Sequence, residues 1–193
     1  MSEFQLYFEL GLEHILDVQG YDHILFVVSL CSLYTLTDWK RVLILVTAFT
    51  IGHSITLALS TLDVISIDAG LIEFLIPITI IITAIANLFS RPGSDRTRFS
   101  TNYGFAGFFG LIHGMGFSNY LKSLLGKDSS IVTQLLAFNI GIEAGQIIIV
   151  VVFLVIGAIF VSVFGVSRRD WNMIISSAIA GIALTLIIDS NYW

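Results

Sequence analysis

Charge is scarce in this chain: Asp, Glu, Lys and Arg make up 12% of its 193 residues, about half the roughly 25% of a soluble domain. Basic residues are scarcer still, nine in all against fourteen acidic ones, for a net charge of −5. Without a basic patch there is nothing to neutralise phosphates, which excludes nucleic acid as a partner. No Lys or Arg precedes Lys40, and the chain opens Met1, Ser2, Glu3, Phe4, Gln5. The basic start of a cleaved signal peptide is missing, so no cleavage is expected. The single cysteine, Cys31, lies inside an apolar run. It excludes an intrachain disulfide and a cysteine-based structural zinc site, and reads as a packing residue.

Apolar surface is what the sequence has. Hydrophobic residues reach 56%, mean hydropathy is +0.92, and long apolar runs recur with no extended polar stretch between them. The expected fold is all-α, a single membrane domain over residues 1–193 built as a bundle of six transmembrane helices. The runs place the spans at about 21–36, 41–62, 69–89, 102–125, 131–164 and 171–188, judged against the roughly 20 residues needed to cross a bilayer. The fifth run is longer than a bilayer requires, which predicts tilting, a bend near Gly141 and Gly145, or projection beyond the membrane. Ahead of the first span, Phe4, Phe8, Leu12 and Ile15 recur at near-helical spacing among Glu3, Glu9 and Glu13. They predict a short N-terminal helix lying on or dipping into the outer surface.

Basic loops stay in the cytoplasm, and they fix orientation. Lys40, Arg41, Arg91, Arg96, Arg98, Arg168 and Arg169 fall on one side of these spans; only Lys122 and Lys127 fall on the other. Both termini are therefore expected outside the cytoplasm, with a bacterial inner membrane as the expected location.

Ionisable residues inside spans are costly unless partnered, so they direct attention to function. His53 and His113 sit about midway along the second and fourth spans, and Glu143 about a third of the way into the fifth. Asp22 and His23 begin the first span, and His14, a weaker candidate, precedes them. Asn139, Glu143 and Gln146 share a helical stripe, and Thr50 and Ser54 flank His53 within a turn. Imidazole and carboxylate together suit a first-row divalent metal such as Zn²⁺, Ni²⁺, Mn²⁺ or Fe²⁺, and a cation would compensate the buried carboxylates. The candidate ligands are His14, Asp22, His23, His53, His113 and Glu143, supported by Thr50, Ser54, Asn139 and Gln146. The bland reading gives each mid-span histidine an interhelical hydrogen bond, and leaves Asp22 and His23 as a helix cap. Glu73 fits an interfacial carboxylate, and Asn87 and Asn119 fit positions near interfaces. Gly107, Gly110 and Gly114 form a small-residue face next to His113 that predicts a close helix crossing.

Four stretches carry a resemblance: Gly11 to Phe26 (GLEHILDVQGYDHILF), Thr47 to Leu59 (TAFTIGHSITLAL), Phe109 to Phe117 (FGLIHGMGF) and Phe138 to Gln146 (FNIGIEAGQ). In content and order they resemble the HupE/UreJ family of small bacterial membrane proteins. The resemblance implies a polytopic protein akin to members described as nickel or cobalt permeases. It carries a metal role onto His14, Asp22, His23, His53, His113 and Glu143.

Three functions fit. One is a divalent-metal transporter or facilitator with an outward-facing site, fed through an acidic vestibule of Glu9, Glu13, Asp17 and Asp22. Another is an intramembrane metal-dependent hydrolase acting on a lipid or membrane peptide, with Glu143 or Asp22 as general base. The third is a non-catalytic partner subunit whose polar residues hold the bundle together.

Overall fold

The computed structural model describes residues 2–90, 97–124, 131–190 and 192, except for the side chains of residues 97–101 and 119. Arg91, Arg96, Lys127 and the Arg98 and Asn119 side chains lie outside that description. The described residues form eight α-helices and one short 3-10 turn, without strands: α1 (Glu3–Leu16), α2 (Asp22–Cys31), the turn Leu36–Asp38, α3 (Trp39–Thr61), α4 (Ala69–Leu88), α5 (Thr97–Gly116), α6 (Ser118–Leu124), α7 (Ile131–Ser162) and α8 (Arg168–Asp189). Four segments are long and apolar enough to cross a membrane: the turn with α3, α4, α7 and α8. They make this an integral membrane protein.

The helices pack in three close pairs, and glycine sets two of them. Between α3 and α5, a β-carbon on Gly52 would strike the Gly107 carbonyl, one on Gly110 that of Phe49, and one on Gly114 that of His53. The backbones touch along the face predicted from Gly107, Gly110 and Gly114. Between α1 and α7, Gly11 meets the Phe138 carbonyl, Gly141 the Phe8 carbonyl, and Gly145 the Ile15 side chain. The third pair joins α4 to α8.

The packing departs from the sequence expectation for α1. The helix α1 is not a separate surface helix: Tyr7, Gly11 and Ile15 are its buried stripe, while Phe4 stays exposed. Close approach of two glycine-notched backbones outweighs the Phe4–Phe8–Leu12 apolar spacing, a pairing between residues 130 apart that periodicity does not register. Gly141 and Gly145 accommodate α1 against α7, which is one continuous helix of 32 residues. Within the segment 21–36 the helix α2 has ten residues, about 15 Å of helix, half the hydrocarbon thickness. The run 102–125 divides into α5 and α6.

The starts of α3 and α8 share one end of the bundle, where Thr35, Leu36 and Thr37 line a cavity with Arg168 and Trp171. This end carries Lys40, Arg41, Arg168 and Arg169 and is called the basic end. At the opposite end Lys122 pairs with Asp63, Gln134 donates to Glu3, and the Tyr7 hydroxyl donates to the Leu124 carbonyl at 3.1 Å. Near the basic end, Asn87 donates to the Ser29 carbonyl at 2.8 Å and to Ser32 at 3.0 Å, and Asn172 donates to the Asn87 carbonyl at 2.8 Å. Ser32 and Ser176 both donate to Asn172 Oδ1. This fully buried knot ties α2 to α4 and α8, so Asn87, read from sequence as interfacial, is a core hydrogen-bonding residue.

Candidate metal centre

All four histidines of the chain meet in one cluster, three of them buried and His14 half-buried. His14 comes from the last turn of α1, His23 from the first turn of α2, His53 from α3 and His113 from α5. The close α3–α5 crossing brings His53 and His113 to one level, and the α1–α7 pairing delivers His14 to it. Ligand atoms of His14, His23 and His53 all lie within 4.8 Å of one another, close enough for small side-chain shifts to bring them onto one ion. The His113 ring lies 5.3 Å from that of His23, centre to centre. His53 and His113 are fully buried and His23 is 5% exposed.

Nitrogens are left over in this cluster. His23 Nδ1 lies 3.0 Å from Asp22 Oδ1, so in the neutral ring Nδ1–H donates to the carboxylate and Nε2 carries the lone pair. His113 is set the same way, with Nδ1 2.9 Å from the Phe109 carbonyl. Nε2 of His14, His23 and His113, and both ring nitrogens of His53, are buried without a hydrogen-bond partner. Buried polar atoms are nearly always paired, and ligating histidines characteristically give their second nitrogen to a carboxylate or carbonyl. The donor set therefore fits a borderline divalent metal, and the fit rests on imidazole.

The remaining candidates sit around this cluster. Glu143 accepts from Thr47 at 2.6 Å through Oε1, while its Oε2 is buried without a partner. Thr47 lies six residues before His53 on α3, about 9 Å along the helix toward the basic end. Glu143 thus stands on that side of the cluster and not among the grouped ligand atoms. Gln146 accepts from Thr50 at 2.7 Å, Ser54 donates to the Thr50 carbonyl at 2.7 Å, and Asn139 donates to the Leu135 carbonyl at 2.8 Å. Neither Thr50 nor Ser54 reaches the His53 ring. His14, the weakest candidate by sequence, is a full member of the cluster. Its signal was available in Gly11 three residues earlier, the small residue that lets α1 enter the bundle.

Among the described residues one open cavity reaches the cluster, at His14. An open cavity of about 680 Å³ is lined by Glu13, His14, Asp17, Phe117 and Tyr120, with Leu10, Leu12, Leu16 and Val18. The His14 ring packs 4.0 Å from that of Phe117. Two carboxylates and a candidate ligand therefore share one vestibule. Glu9, placed in the vestibule by sequence, instead accepts from Gln5 on the α1 surface.

Membrane-crossing helices around a histidine cluster, with an acidic cavity opening at His14, define an integral membrane protein with a candidate metal centre. The family model described as HupE / UreJ protein matches residues 1–190, and the chain belongs to that family. No curated protein and no solved structure matches it.

Proposed function

We propose that the protein is a transporter or facilitator of a divalent transition-metal ion, taken up from the acidic vestibule and held by His14, His23 and His53. The observation that carries this reading is the set of unpaired buried imidazole nitrogens on three separate helices, a costly arrangement that one cation resolves. Asp22 orients His23 and offsets cation charge. His113 stands as a fourth donor, and Glu143 receives the ion on the basic-end side. Nickel and cobalt enter through the family resemblance; the imidazole set also accommodates zinc.

In this reading α1 and α2 form one discontinuous crossing, broken at 17–21 beside the cluster. Together they have 24 residues, about 36 Å of helix, enough for the bilayer. Broken helices that place ligands near mid-membrane are a recurrent device of secondary transporters. With α3, α4, α5, α7 and α8 this makes six crossings. The basic end then faces the cytoplasm of a bacterial inner membrane, with both termini outside.

The test is metal uptake into proteoliposomes. Wild type is expected to carry Ni²⁺, Co²⁺ or Zn²⁺ inward, and His53→Ala to abolish flux. Equal flux in wild type and variant would refute the proposal. A second reading, an intramembrane metal-dependent hydrolase, draws on the open cavity at His14, since three histidines and an open position suit a catalytic zinc. Stoichiometric metal without flux, and cleavage of a lipid or peptide lost in the same variant, would favour it.

A further inference from the structure

Three of the four clustered histidines are each followed, one helical turn toward the basic end, by a phenylalanine. On α2, which runs toward the basic end, Phe26 follows His23 by three residues; on α3 and α5, which run away from it, Phe49 and Phe109 precede His53 and His113 by four. Phe26 and Phe49 are fully buried and Phe109 is 6% exposed. Ring centres lie 4.9 Å apart for Phe26 and Phe49, and 6.0 Å for Phe26 and Phe109. Those are contact distances for aromatic rings and leave no room for water between them. The layer also touches the histidines directly: Phe26 and Phe49 lie 4.9 and 5.1 Å from the His113 ring. Beyond the rings, one turn further toward the basic end, lie Leu30, Leu45 and Ala106 of an apolar cluster.

We propose that Phe26, Phe49 and Phe109 form an aromatic gate that closes the basic-end side of the histidine cluster and must part for a cation to leave toward the cytoplasm. The proposal rests on the transport reading. A dry apolar constriction blocks ions because a hydrated cation would lose its water there without gaining a ligand. The imidazole layer supplies ligands on one side of the constriction and the phenyl layer supplies none, so the ion stops at the histidines until the rings separate. Each pair of layers is carried on one helix, so a rotation or tilt of α2 against the close α3–α5 pair moves ligand and barrier together.

The experiment reads access to the cluster by thiol labelling, which needs no metal. In the full chain, Cys31→Ser removes the one native thiol and His53→Cys places a new one above Phe49. Oriented proteoliposomes are treated from the cytoplasmic face with a charged, membrane-impermeant methanethiosulfonate. Labelling is expected to be slow with the gate intact or with Phe49→Leu, and at least tenfold faster with Phe49→Ala or Phe109→Ala. Thiol release in denaturant and a thermal melt confirm that each variant is reactive and folded, and Phe109→Ala, at the edge of the layer, serves where Phe49→Ala does not fold. Equal slow labelling in both folded alanine variants, or fast labelling with the gate intact, would overturn the proposal. Co²⁺ binding to the chain with its native histidines is measured separately by visible absorption. Loss of the metal reading with gated labelling preserved would leave the barrier standing and remove its cargo.

Discussion

His23 Nδ1 lies 3.0 Å from Asp22 Oδ1, and His23 Nε2 has no partner: the carboxylate determines which nitrogen is left for a cation. Because the adjacent residue does the orienting, removing its charge acts on metal affinity more than on folding. Asp22→Asn is expected to weaken Co²⁺ or Ni²⁺ binding about 10- to 100-fold, read by competition with a chromophoric chelator, while the melting temperature stays near that of wild type. Unchanged affinity would remove Asp22 from the site.

Glycine contacts make a stability prediction with an internal control. A β-carbon at Gly114 collides with the His53 carbonyl, whereas one at Gly104 meets nothing within 4 Å. Gly114→Ala is expected to cost about 1–3 kcal/mol, the usual penalty of overpacking, and to displace His53 as well. Gly104→Ala should be neutral. Thermal unfolding in detergent, combined with metal titration, tests both.

The knot of Asn87, Ser32 and Asn172 predicts the opposite separation. Asn172→Ala leaves Ser32 and the Asn87 carbonyl without their partner, at about 0.6–1.7 kcal/mol for each interhelical hydrogen bond lost in a membrane. Lower thermal stability with unaltered metal affinity is expected. A fall in affinity as large as that of Asp22→Asn would mean the two polar regions are not independent.

Protons compete with metal for imidazole. A ligating ring must be neutral, and free imidazole takes up its proton near pH 6.5. Retention is therefore expected to be complete above that pH and to fall as pH drops below about 6, more steeply than for a single site because several rings protonate together. Equilibrium dialysis between pH 5 and 8 measures it. A flat profile would argue against histidine ligation.

Much of the architecture was legible in the residues. Four apolar runs appear as α3, α4, α7 and α8 within a few residues of their expected ends, because hydropathy reports directly on solvent. Gly107, Gly110 and Gly114 marked the α3–α5 crossing because a small-residue stripe has one dominant use in a bundle. The role of α1 was hidden: its acidic residues suggested an interface, and only the distant Gly141 and Gly145 reveal what covers Gly11. For the same reason the sequence did not mark His14 as one of the grouped histidines, nor Glu143 as lying to one side of them, since depth along a helix does not say which neighbour a side chain meets. Asn87 was misplaced because its partners, Ser29, Ser32 and Asn172, come from two other helices. The phenylalanine layer was invisible until three helix directions were known.

In the proposed site three imidazoles from separate helices share one cation. The most direct measurement is X-ray absorption on purified protein loaded with Zn²⁺ or Ni²⁺, alongside metal content per chain. One tightly held ion with at least three nitrogen neighbours, at about 2.0–2.1 Å for zinc, and its loss in His53→Ala, is the predicted result. A chain that holds no stoichiometric metal, or holds it equally well in His53→Ala, would contradict the account.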